Sequence, residues 1–235
     1  MNRYLKYELL RAITIKSTYI FPLIGIAGSW LFACLGLFVL LPNGVVPNLV
    51  WAINNCYTVL SIFFITIPFA QAFGHDYRDG TMRLTLSAFP IRSKVLFAKF
   101  LIPAVIATIS AGIAFLGIWA MYQVFTPVPY HVVALYAIGR NTAFTILWGL
   151  LVASVVIFTR SMAAGIVGLV VWSLILENIV DTLLEKKYPN LHSYLPLREG
   201  MIWAAGGNVR DLIVISVATA LTVALAAIKF IKKDA

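Results

Sequence analysis

The sequence predicts an all-α membrane protein, a single transmembrane domain over residues 1–235 with six spanning helices behind an N-terminal helix that lies in the interface. Three observations predict it. Of 235 residues, 61% are apolar and 11% charged, with mean hydropathy +0.93, whereas a soluble domain carries about 25% charged residues. The apolar residues come in continuous runs rather than in alternation, which suits helices and argues against a closed barrel. Pro- and Gly-rich clusters cut those runs into lengths near the roughly 20 residues a spanning helix needs. The same composition excludes a water-soluble enzyme and a disordered chain.

Taken in order, residues 1–16 place Leu5, Leu9, Ala12 and Ile13 on one helical face and Arg3, Lys6 and Arg11 largely elsewhere. That is the pattern of a helix lying in the inner interface. Basic residues before an apolar stretch also look like a secretory signal, but this stretch is too long and lacks a small-x-small exit, so it stays as span one, 19–41. No formal charge occurs between Lys16 and Asp76. The cluster from Leu41-Pro42-Asn43-Gly44 to Pro47 divides this region and opens span two, 49–73. After a loop at 74–99 comes span three, 100–122, closed by Thr126-Pro127-Val128-Pro129. Span four covers 132–158, where Arg140 and Arg160 bracket about 30 Å of helix, the thickness of the hydrocarbon core. Spans five and six are 161–181 and 211–229.

The charges then set the orientation. Eighteen Lys and Arg against nine Asp and Glu give a net charge of +9. In a soluble protein this would raise nucleic acid as a partner, but the location of the charges gives another reading. Arg3, Lys6, Arg11 and Lys16, then Arg78, Arg83, Arg92, Lys94 and Lys99, then Arg160, and finally Lys229, Lys232 and Lys233 fall on one side of the six-span arrangement. The opposite side holds Lys186, Lys187 and Arg198, plus Arg210 and Arg140 at span edges, with Glu177, Asp181, Glu185, Glu199 and Asp211. Both termini are therefore expected in the cytoplasm of a multi-pass plasma-membrane protein, with membrane lipid and not nucleic acid as a partner. Cys34 and Cys56 are too few for a disulfide scaffold. His75, His131 and His192 lie in separate segments without metal-ligand spacing, so no metal site is expected.

The loop at 74–99 is the informative segment. Thr81 can cap a helix that starts just after Gly80, and Pro90 stops it, leaving about two turns that bear Met82, Leu84, Leu86 and Phe89. A second helical start follows at Arg92. An apolar stub outside the bilayer needs headgroups or another protein to cover it. Asp76, Gly80-Thr81, Leu84, Leu86, Pro90, Arg92 and Lys99 resemble the acidic-x-x-x-Gly-Thr, Leu, Pro, Arg, Lys pattern in the first cytoplasmic loop of type 2 ATP-binding-cassette (ABC) transporter permeases, which usually carry Glu at the place of Asp76. The six spans, the interfacial helix and the cytoplasmic termini look like that family too.

The resemblance implies that residues 80–89 form a coupling helix seated on a separate cytoplasmic ATPase. Two such ATPases, holding ATP and Mg, would serve two permeases, identical or related. Asp76 and Arg92 would tether the loop ends by charge-assisted hydrogen bonds, and Gly80 would supply a turn that a Cβ disfavours. This chain has no Gly-x-x-x-x-Gly-Lys-Ser/Thr loop of its own, so no nucleotide chemistry, catalytic residue or cofactor is expected in it. Residues 182–208 would hold short outer re-entrant helices, with Glu177, Asn178 and Asp181 as an outer gate or simply as the wet end of span five. Gly25, Gly28, Ser29 and Trp30 in span one, with Ala164 and Gly168 in span five, would pack at the permease dimer interface or line the pathway; small residues there let helices approach closely.

The expected function is therefore that of an exporter subunit, with a bacterial origin expected, moving an amphipathic or hydrophobic substrate such as a peptide or drug. The competing readings are an ion-coupled secondary transporter or channel, which would need mid-membrane ionisable groups, an intramembrane enzyme, which would need a nucleophile and base or a metal set at one depth, and a non-catalytic scaffold.

Overall fold

A computed structural model describes residues 2–40, 49–89, 91–125, 131–177, 179–180, 182–183, 195–204 and 206–233. Those residues form helices and short connections, with no strand among them. The helices are α1 (Asn2–Thr14), α2 (Ser17–Leu40), α3 (Leu49–Arg78), α4 (Met82–Ala88), α5 (Arg92–Phe125), α6 (His131–Thr159), α7 (Met162–Val171), which continues into a π-helical turn at Trp172–Leu176, α8 (Pro196–Ala204) and α9 (Val209–Lys233).

Among the described residues, four stretches are long and apolar enough to cross a membrane: Ser17–Phe38, Arg92–Val124, Leu135–Thr159 and Val209–Lys232. The 24 residues of α2 alone extend about 36 Å at the α-helical rise, more than the hydrocarbon core. The helices carry apolar residues on all sides, and in α5 alanines make up much of the buried face. In α5 the residues Ala107, Ala111, Ala114, Phe115 and Ile118 are buried, while Val105, Ile109, Ile113 and Leu116 are exposed. Without a hydrophobic drive between helices in lipid, small inward residues allow close approach and large outward ones meet the acyl chains.

Helix α3 is the centre of the bundle, packing against α2, α5, α6 and α7. Its Ile65, Phe69 and Phe73 are wholly buried. Phe69 lies over Gly149 of α6, where a Cβ would overlap the ring. Trp148 stands edge-to-face against Phe63 and Phe144, at 5.9 and 5.8 Å between ring centroids. Helix α9 closes the other side against α6 and α8, and buries Phe230 edge-to-face on Phe73.

Helix boundaries depart from the span limits read in the sequence. The loop expected at 74–99 is largely helical, because α3 runs on to Arg78 and α5 begins at Arg92. Charge ends an apolar run, yet it does not end a helix. Between α3 and α4 the backbone turns at Gly80, whose φ of +67° is open to glycine at little cost. Pro22, Pro68 and Pro103 sit inside helices, as neighbouring helices in a bundle permit.

Candidate functional site

The polar residues of α1 recur at helical spacing. Tyr4, Glu8 and Arg11 fall on one face by i, i+4, i+7, and that face turns inward: Tyr4 and Glu8 are each 5% exposed. The opposite face carries Leu9, Leu10 and Ile13, all exposed. The amphipathic pattern of α1 is thus inverted relative to a helix on a soluble domain, with its polar side against protein.

There α1 meets the ends of α3 and α5 around two carboxylates and two cations. Arg11 holds Asp76 with both ends of its guanidinium, Nη2 to Oδ1 at 2.6 Å and Nη1 to Oδ2 at 2.9 Å. Lys99, with no exposed side-chain surface, places its ammonium 2.5 Å from Asp76 Oδ2, 2.9 Å from Glu8 Oε1 and 2.7 Å from the Ala72 carbonyl. A lysine has three N–H donors, and three acceptors surround this one. Glu8 also accepts from the Tyr4 hydroxyl at 2.5 Å and lies 3.6 Å from Arg11. The set is formally neutral, and its members satisfy one another, which is the condition for charge in a dry interior.

Protonation states follow from this geometry. Burial alone would raise the Asp76 carboxyl, but Lys99 and Arg11 outweigh it and hold the carboxyl below its ordinary range. Burial opposes the charge on Arg11 as well, and the bonds to Asp76 more than restore it. Tyr4 is pushed far up, by burial first and by Glu8 second, and stays a donor. Burial, then Arg78 and Arg11, lower His75, whose Nε2 is buried without a hydrogen-bond partner.

Helix α4 is mounted directly on this cluster. Thr81 donates its hydroxyl to Asp76 Oδ1 at 2.9 Å. The expected side-chain cap on α4 is therefore absent, since the hydroxyl is engaged by the carboxylate. Met82 is buried and Leu86 packs against the core. Phe89 stands edge-to-face on Tyr4 at 4.6 Å and beside Tyr7 at 6.1 Å. Leu84 points away, 70% exposed. Pro90 lies outside the described residues.

Arg92 does not tether Asp76. Among the described residues the partners of that carboxylate come from α1, α5 and Thr81, and Arg92 Nη1 instead donates to the Ile231 carbonyl at 2.5 Å. Ile231 stands in the last turn of α9, where carbonyls lack intrahelical partners and a cation is favoured. No family model matches the chain, and no curated protein matches it.

The remaining sequence candidates are scattered. In α2, Gly25 and Ser29 are buried and Gly28 half-buried. Trp30 turns into the chain's own packing, donating to the Ala114 carbonyl at 3.0 Å above Gly117, where a Cβ would overlap the indole. In α7, Ala164 is half-buried, and Gly168 is exposed with open space at its Cβ position. Glu177 is buried at the end of the π-helical turn. Asn178 and Asp181 lie outside the described residues.

Sequence reading missed Glu8 and Tyr4 altogether. One signal was available: Glu8 is the only acidic residue before Asp76, and it shares a helical face with Arg11. Among the described residues no three His, Cys, Asp or Glu side chains gather as metal ligands. The cluster has no free base or nucleophile; what it can do is fix α1, α3, α4 and α5 to one another.

Proposed function

We propose that this chain is the permease subunit of a type 2 ABC exporter, with six spans, both termini in the cytoplasm of a bacterial plasma membrane, and α4 as the coupling helix. In this reading α3 is span two, residues from Met162 onward form span five, and α8 belongs to the outer segment between spans five and six. Two copies, or this chain and a related one, assemble with two cytoplasmic ATPases that bind ATP and Mg. The observation that carries the reading is the mounting of α4: a two-turn helix set off by Gly80, fixed through Thr81 and Asp76 to the ends of two long helices, with Leu84 facing outward.

The chemistry supports mechanical coupling. An ATPase that seats the exposed side of α4 moves Thr81, Asp76 and Lys99 with it, because breaking any of these contacts leaves buried charge unpaired. Motion imposed on a short helix is thereby delivered to α3 and α5 as rigid bodies. An amphipathic or hydrophobic cargo, such as a peptide or drug, suits the apolar faces of the helices.

Isolation of the chain from its native membrane in mild detergent should recover an ATPase bearing a phosphate-binding loop in equal stoichiometry. In the assembled complex, Gly80→Pro and Asp76→Ala should leave insertion intact and abolish substrate-stimulated ATP hydrolysis. Recovery of the chain with no ATPase, or unchanged stimulation in both variants, would refute the proposal.

A further inference from the structure

The opposite end of α6 holds a second buried cation in a different setting. Arg140 is half-buried and presents Nη1 to two backbone carbonyls, Gly207 at 3.2 Å and Trp203 at 3.4 Å. The Trp203 carbonyl lies in the last turn of α8, so Arg140 serves there as a C-terminal partner, joined by Asn141, which donates to the Ala204 carbonyl at 3.4 Å. The guanidinium also lies 5.9 Å from the Trp203 ring. This fixes one edge of the planar group. Nε and Nη2, the edge that carries three more N–H donors, have no acceptor among the described residues.

Arg140 also lines an open cleft of about 520 Å³, together with Leu135, Tyr136, Gly139 and Trp203 among the described residues. None of these is acidic. Asp211, in the first turn of α9, accepts from the Asn208 backbone N–H at 2.7 Å. Tyr136, 70% exposed, and Leu135 supply apolar walls. Among the described residues this half-buried guanidinium is held by carbonyl dipoles and the Trp203 ring, and its second edge has the geometry to match two oxygens of one planar or tetrahedral anion.

We propose that this cleft binds the oxyanion, phosphate or carboxylate, of an amphipathic molecule, with Arg140 as the bidentate donor and Leu135, Tyr136 and Trp203 as the apolar wall for its tail. The inference is independent of the exporter reading, because it uses no residue of the α4 cluster and no ATPase.

The test is equilibrium binding to the purified full-length chain, by titration calorimetry in nanodiscs of uncharged-headgroup glycolipid. The probes are dodecyl phosphate, dodecanoate, dodecyl maltoside and inorganic phosphate. Dodecyl phosphate and dodecanoate should bind at least about tenfold more tightly than dodecyl maltoside or inorganic phosphate, since fork and wall are both needed. Arg140→Lys keeps the charge and a donor for the carbonyls but loses the fork, and should weaken dodecyl phosphate about tenfold. Tyr136→Ala removes only an exposed wall and should weaken it about threefold, which guards against a folding defect in the arginine variant. Adding phosphatidic acid to the nanodisc distinguishes the sources: competition assigns the site to a lipid headgroup, and its absence assigns it to a freely diffusing amphiphile, either with the site intact. Equal affinity for dodecyl phosphate and dodecyl maltoside, or unchanged affinity in both variants, would overturn the proposal.

Discussion

At one end of the bundle Glu8, Arg11, Asp76 and Lys99 close on each other until no charge is left over, while at the other end Arg140 is held by backbone carbonyls and, among the described residues, forms no ion pair. The two settings place different demands on the fold. A neutral, saturated set buried among three helices and the start of a fourth has nothing left to offer a ligand, and acts as a tie. A cation held by carbonyl dipoles, with two donor atoms that meet no acceptor among the described residues, has capacity to bind. Burial of charge by itself therefore says little about role; what decides is whether the partners exhaust the donors.

The largest expected effect comes from opening the closed set. Lys99→Met leaves Asp76 and Glu8 to share Arg11 in a dry site and should cost about 3–5 kcal/mol, seen as a large fall in unfolding midpoint or as loss of monodisperse protein in detergent. Adding Asp76→Asn to that variant removes the surplus negative charge and should return part of the loss; a double variant that is simply the sum of the two single effects would contradict the coupling drawn here.

Acid should act on the same set. Because the folded-state carboxyl of Asp76 is held below its unfolded value near 3.9, its contribution is complete above pH of about 5 and is lost as pH falls through the lower, folded value. Thermal unfolding followed from pH 7 down to 3 should show this loss in the native chain and not in Asp76→Asn. Gly80→Ala imposes a left-handed φ on an L residue and should cost about 1 kcal/mol. At the foot of the scale, the exposed Arg78–Asp79 pair joins neighbours in sequence at 2.8 Å, and Arg78→Ala should leave the unfolding midpoint unchanged.

Much of the fold was legible because lipid constrains composition so strongly. A chain whose backbone must satisfy its own hydrogen bonds in hydrocarbon can be read as helices from the apolar runs alone, and α2, α5, α6 and α9 sit where those runs lie. Gly80 was legible for a similar reason, since its place between Asp79 and Thr81 called for a turn, and the positive φ is there. Partners were not legible. Asp76 was expected to reach Arg92, the basic residue beyond Pro90, but its carboxylate lies toward α1 and α5. Arg92 meets the end of α9, more than a hundred positions along the chain.

The sequence by itself determined the solvent of this protein, the helical runs that lipid allows, and the short helix set off by Gly80. These depend on local composition and backbone rules, which act over a few residues. Only the tertiary structure decided that Tyr4, Glu8 and Arg11 of α1 turn inward, that Lys99 finds three acceptors from two other helices, and that Arg140 meets the carbonyls of Trp203 and Gly207. Each of these depends on how helices distant in sequence approach and rotate. Side-chain direction about a helix axis is set by packing against neighbours, and nothing in a run of residues states which neighbour will be there.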